Sequence, residues 1–153
     1  MKIKLFVLLG LALMLTTSPV FASSKLPVGE PISVGGGYPT TFPAGDPFHI
    51  KHGWAMETTE NGPPGKYGFE LYVDGERVKE DFVMRTFNPD THPVTFDLVW
   101  VHNFPDGMTG TRTFTGKWYA PCEYAIELGY LGPCPQPNAS VMIVEGNLTV
   151  EFE

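Results

Sequence analysis

Basic residues are scarce in this 153-residue chain: ten Lys and Arg stand against seventeen Asp and Glu, for a net charge of −7. Nucleic acid and anionic membrane surfaces both require a cationic footprint, so this balance argues against either partner. A second long apolar run is missing as well. Apart from the N-terminal segment, nothing approaches the roughly twenty apolar residues that a membrane-spanning helix requires. Helical periodicity is equally thin, and no sequence repeat of 20–50 residues appears. Enzyme signatures are absent: there is no Gly-x-Ser-x-Gly elbow, no Gly-x-x-x-x-Gly-Lys-Ser/Thr phosphate loop and no His-Glu-x-x-His pair. Cysteine is reduced to two residues.

The first 22 residues have the organisation of an export signal. Lys2 and Lys4 form a positive start, Leu5 to Leu15 is an apolar run of eleven, and Val20-Phe21-Ala22 supplies a small-residue cleavage site. Cleavage after Ala22 would remove both lysines, moving the charge from −7 to −9 over the remaining 131 residues. The expectation is a secreted, extracytoplasmic protein (periplasmic or surface-located) with no membrane span after signal cleavage. Export also bears on Cys122 and Cys134. In an oxidising compartment the pair is expected to form a disulfide closing a 13-residue loop, worth about 3 kcal/mol on the chain-entropy account. Two cysteines twelve apart without a nearby His match no zinc pattern.

The remainder alternates with the period of strands. Residues 23–37 read as a flexible lead-in with a short edge strand near Pro31–Val34, and residues 38–153 as a single domain. Phe48, Ile50, His52, Trp54 and Met56 share one face of a strand; Tyr67, Phe69, Leu71 and Val73 share one face of the next. Asp74-Gly75 predicts a two-residue hairpin. A further segment covers Arg77 to Phe87. Phe96, Leu98, Trp100 and His102 line the most apolar strand, which places Trp100 at the centre of the core. Arg112, Phe114, Gly116 and Trp118 oppose Thr111, Thr113, Thr115, Lys117 and Tyr119 in another. Val141 to Phe152 is expected to divide into two runs at Glu145-Gly146-Asn147. Glu123 to Leu131, within the cysteine loop, reads as a strand. Phe42-Pro43-Ala44-Gly45 and Phe104-Pro105-Asp106-Gly107 read as a pair of related turns.

Alternation with turn signals every 8–12 residues, and one or two buried Trp, resembles an immunoglobulin-like or fibronectin-III-like sandwich over Pro31 to Glu153. The stretch from Trp100-Val101-His102-Asn103-Phe104-Pro105 through Lys117-Trp118-Tyr119-Ala120-Pro121-Cys122 is similar to the last strands of such modules in secreted prokaryotic proteins. The Cys-Trp-Cys spacing of antibody domains is absent, since both cysteines follow Trp100. The resemblance implies an all-β, antiparallel immunoglobulin-like sandwich of about seven to nine strands, and with it a binding role rather than a defined chemistry.

Three sets of side chains are candidates for function. Tyr72, Tyr119 and Tyr124 could present flat rings to a carbohydrate or anchor a protein partner. His52 and His102, each beside a Trp in the strand pattern, could meet across the sandwich. With Met56, Met84 or Met108 they would offer soft ligands to copper in an exported protein. The close pair His49 and His52 falls on opposite faces and cannot chelate together. Carboxylates such as Glu57, Glu60, Glu70 and Asp97 read as solvated surface, without the cleft pairing of a glycosidase. The expectation is a non-enzymatic module without a cofactor, binding a protein or carbohydrate or serving a surface assembly. An exported copper-binding protein is the alternative, and a secreted hydrolase a third reading.

Overall fold

A computed structural model describes residues 26–34, 40–57, 66–88, 90, 95–130, 132–136 and 139–153. The candidate signal and the Gly35-Gly36-Gly37 stretch lie outside the described residues. The strands are β1 (Glu30–Ile32), β2 (Thr41–Phe42), β3 (Phe48–Glu57), β4 (Gly68–Val73) and β5 (Glu76–Val78), followed by β6 (Phe82–Asn88), β7 (Thr95–Phe104), β8 (Gly110–Pro121) and β9 (Ser140–Phe152). One short helix, α1 (Cys122–Glu127), separates the last two. A four-stranded sheet runs β1-β3-β7-β6 and a five-stranded sheet β2-β9-β8-β4-β5. No helix among the described residues is long and apolar enough to cross a membrane.

Both sheets are mixed, which corrects the expectation of a purely antiparallel sandwich. β1 lies parallel to β3 and β2 parallel to β9, while the other pairings are antiparallel. The reason is the lead-in. Its strand β1 joins one sheet, and β2, just after it, joins the other, each too short for its direction to show in the sequence. Further corrections are local. Arg77 to Phe87 is two strands in different sheets, β5 and β6. The 141–152 region is a single thirteen-residue strand rather than two. Its irregularity sits at Ile143, where the β8 register passes from Trp118↔Val144 to Tyr119↔Met142, leaving Ile143 as the extra residue of a bulge. The stretch beginning at Glu123 is helical rather than extended. Tyr124 and Leu128, four apart, are joined by the Leu128 N–H to Tyr124 carbonyl bond of 3.2 Å.

The inner faces of the two sheets meet in one apolar core. Phe48, Ile50, Leu98 and Trp100 from one sheet pack with Phe69, Leu71, Phe114, Trp118, Val150 and Phe152 from the other. Phe48 stacks on Phe104 at 4.6 Å and meets Phe114 and Phe152 edge-on or tilted. Trp118 lies over two glycines paired across strands, Gly116 and Gly146. A methyl added to Gly116 would come within 2.9 Å of the indole, so this packing depends on a missing side chain.

The turns follow the sequence signals. Asp74 (φ 51°) and Gly75 (φ 86°) form the tight turn joining β4 to β5. The Asp74 carboxylate accepts the Thr113 N–H at 2.9 Å and the Arg112 guanidinium at 3.0 Å, tying this turn to β8. The two Pro-x-Gly turns pack on each other: a methyl on Gly107 (φ 62°) would fall 2.4 Å from the Gly45 carbonyl carbon. Cys122 and Cys134 form a disulfide with Cα atoms 5.6 Å apart. It secures a second, smaller apolar cluster of Cys122, Ala125 and Val141, against which Ile143 and Tyr130 pack.

Trp100 is 8% exposed within the core, as the strand pattern led us to expect. Truncation of a buried Trp costs about 3–5 kcal/mol. Trp100→Ala should therefore lower the denaturant midpoint by a large share of the protein's stability, measured by urea unfolding followed by circular dichroism. A midpoint equal to wild type would mean that this indole is not a core element.

Candidate functional site

The outer face of the five-stranded sheet carries the most developed polar arrangement. Because strand side chains alternate, burying Phe69, Leu71, Phe114 and Trp118 directs Glu70, Tyr72, Lys117 and Tyr119 outward. The β4–β8 register sets Glu70 opposite Lys117, with Tyr119 on the diagonal. The β4–β5 hairpin sets Tyr72 opposite Arg77. Glu70 becomes the hub of this face. Its Oε2 accepts the hydroxyl protons of Tyr119 at 2.8 Å and Tyr72 at 3.0 Å, while Oε1 pairs with the Arg77 guanidinium at 3.0 Å. Lys117 sits 4.8 Å above the Tyr72 ring and 3.5 Å from Glu145.

Two of the three tyrosines picked out in the sequence, Tyr72 and Tyr119, thus share one carboxylate. Tyr124 does not join them. From α1 its ring packs 5.7 Å from Tyr67 and 6.5 Å from Trp54, and Trp54 donates its indole N–H to the Gly68 carbonyl at 3.3 Å. Tyr67 links the two groups. It lines, with Tyr119, Glu70, Arg77, Lys66 and Glu80, a cleft of about 340 Å³ that Phe69 and Trp100 also border.

Burial pushes the Tyr119 phenol up to about 12, reinforced by its hydrogen bond to Glu70 and the negative charge there. The hydroxyl therefore remains a donor to Glu70 throughout the physiological range. With both phenol protons committed to Glu70, the outward-facing capacity of the two hydroxyls is lone pairs, set beside the N–H donors of Arg77 and Lys66. The reading of Glu70 as solvated surface is corrected: its side chain is only 22% exposed and holds three partners. Of the other acids considered, Asp97 is half-buried on β7 beside Thr86 and Ala55 in the ladder. Glu60 and the Glu57 side chain lie outside the described residues. Sequence reasoning missed Glu70, Arg77 and Lys117. The hairpin signal at Asp74-Gly75 already implied the Tyr72–Arg77 pair, whereas the β4–β8 register left no local mark.

His52 and His102 do not meet across the sandwich. They lie on adjacent strands of one sheet, where Ile50 pairs with His102 and His52 with Trp100, so both imidazoles enter the core from the same side. The His52 ring stands edge-on to Trp118 at 4.3 Å and tilted against Phe69 at 5.4 Å; His102 meets Phe69 at 5.8 Å. Met84, paired with Val99, faces the opposite side of the sheet. Met108 packs against the core from the turn before β8. Met56 is in β3 opposite Phe96, and its side chain is outside the described residues. Among the described residues no group of three His, Cys, Asp or Glu is placed to hold a metal ion. His49, on the outer face, is buried because residues 26–30 cross it, and its Nδ1 bonds the Val28 carbonyl at 2.8 Å.

His102 is 1% exposed, and its Nδ1 has no hydrogen-bond partner among the described residues. The chain matches no protein-family model, no curated protein and no solved structure.

Burial lowers the affinity of both His52 and His102 for a proton. At His102 the carboxylates of Glu80 and Asp81 and the backbone of Val78 and Ile50 partly oppose that effect. The folded state thus binds fewer protons than the unfolded state, in which histidine titrates near 6.5. Stability is then complete above about pH 6.5 and declines as the pH falls through that value toward the lowered folded values. Asp74, held below the usual carboxylate value by the Thr113 N–H and Arg112, contributes its loss in a more acidic window, below about pH 4. Melting curves between about pH 7 and pH 5 should show a falling midpoint, and His102→Leu should flatten the slope. An unchanged slope in that variant would remove His102 from the account.

Proposed function

We propose that this protein is an exported, immunoglobulin-like, non-enzymatic sandwich module that binds a hydroxyl-rich carbohydrate on the Glu70 face. The export-type N-terminus and the disulfide support the compartment. Two facing sheets around one aromatic core, with the first two short strands entering different sheets, support the immunoglobulin-like reading. The observation that carries the binding role is the Glu70 hub, where one carboxylate engages two tyrosine hydroxyls and an arginine beside a cleft lined by Tyr67 and Tyr119. Sugar hydroxyls are donors in a vicinal array, and this face offers tyrosine lone pairs at a fixed spacing next to an aromatic ring. Turnover is disfavoured by the same contacts. A carboxylate already accepting two phenol protons and paired with Arg77 is poorly available as a base or nucleophile.

Binding by a few hydrogen bonds of about 1 kcal/mol each, together with ring stacking, corresponds to a Kd near 1 mM. Saturation-transfer NMR against a panel of soluble β-glucan, chitin, mannan and peptidoglycan oligosaccharides should identify a binder. Tyr119→Ala should abolish its signal and Tyr119→Phe weaken it by roughly fivefold, about 1 kcal/mol. Asp106→Asn, in the turn after β7, should leave it unchanged. A panel without binders, or one whose binder is indifferent to Tyr119→Ala, would contradict this reading.

A further inference from the structure

Six large apolar side chains are exposed among the described residues, and four of them belong to one corner. Ile126 and Leu128 are on α1 and its exit turn; Met142 and Val144 are on the first half of β9, which α1 contacts. Their exposure ranges from 43% to 54%. Leu128 and Val144 form two walls of a groove of about 360 Å³ completed by Trp54, Gly129, Tyr130 and Ile143. The groove is built. The disulfide closes the loop, the Tyr130 N–H bonds the Ala125 carbonyl at 2.9 Å, the Gly129 N–H bonds the Ile126 carbonyl at 3.0 Å, and the Tyr124 ring packs against Trp54 and Tyr67. The apolar side chains are therefore held outward by a braced loop.

The elements that form this corner carry mostly acidic charged side chains. Of the five Glu between Trp118 and Glu153, Glu151 and Glu153 lie at the far end of β9, where Glu151 pairs with Thr111, and the other three belong to the corner. Glu123 and Glu127 share a face of α1, and Glu145 follows Val144. Lys117 engages Glu145, but Glu127 enters no ion pair among the described residues. Lys66 and Lys117 belong to the Glu70 face. Apolar walls with an anionic rim disfavour two partners: a second copy of this chain would set glutamate against glutamate, and an anionic membrane would be repelled.

We propose that this groove docks a partner protein through a basic segment, with one apolar side chain seated between Leu128 and Val144 and a Lys or Arg held over Glu127. The site is separate from the Glu70 face and does not depend on carbohydrate binding. The test uses a fluorescein-labelled peptide alternating Leu and Lys, its Leu/Glu counterpart, and phosphatidylglycerol vesicles, all titrated with the purified protein. The Leu/Lys peptide should raise anisotropy saturably. Its affinity should fall about tenfold in Leu128→Ser/Val144→Ser and also fall in Glu127→Gln and with added salt. Both serine positions are half-exposed, and an unchanged melting temperature would confirm the fold. The Leu/Glu peptide and the vesicles should not bind. Four results would overturn the proposal: no binding of the Leu/Lys peptide, equal binding of both peptides, binding indifferent to the serine substitutions, or sedimentation showing a dimer that those substitutions dissolve.

Discussion

The alternation of β8 is the constraint on which the rest of the structure depends. Successive side chains of a strand point to opposite faces, so seating Trp118 on the paired glycines of β8 and β9 places Lys117 and Tyr119 on the other face. A one-residue slip would drive Lys117 into the aromatic core and turn Trp118 to solvent. The energy that holds the site in position is thus core energy: several buried rings, each worth about 1.5–3 kcal/mol, against surface ion pairs of at most about 1 kcal/mol. The Glu70 network adjusts the outer face, but the register that creates it is set underneath.

The bulge at Ile143 carries this constraint to the end of the sheet. Above it, Val144 pairs with Trp118; below it, Val141 pairs with Ala120 and packs with the disulfide loop. Ile143 itself packs against both apolar clusters. One inserted residue therefore lets the main core and the smaller cluster beneath α1 share a strand, and leaves Val144 at the rim of the groove beside Leu128. Core, Glu70 face and apolar corner are consequences of one strand pair.

Much of this was legible in the sequence because period-two alternation is a local signal. The inner face of β7, the buried Trp100, the Asp74-Gly75 hairpin and the paired Pro-x-Gly turns all follow from spacing within a few residues. What was not legible depends on register or on very short elements. Nothing near Glu70 in sequence says that Tyr119, forty-nine residues later, will donate to it. Three- and two-residue strands at the N-terminus cannot advertise a parallel pairing. His52 and His102 were placed on the correct faces, yet face alone does not say which sheet a strand joins, so diagonal neighbours looked like residues facing each other across the core. The sequence of α1 reads as extended because six residues hold too few turns for a helical period to outweigh the alternation of Tyr124, Ile126 and Leu128.

The central claim is that Glu70 fixes the phenol protons of Tyr72 and Tyr119 and leaves their oxygens as acceptors. Site-resolved NMR of the tyrosine rings across alkaline pH tests it most directly. Tyr119 should titrate near 12 and move toward the ordinary tyrosine value of about 10 in Glu70→Gln. A Tyr119 that already titrates near 10 in the wild-type protein, or that is unmoved by Glu70→Gln, would contradict the account.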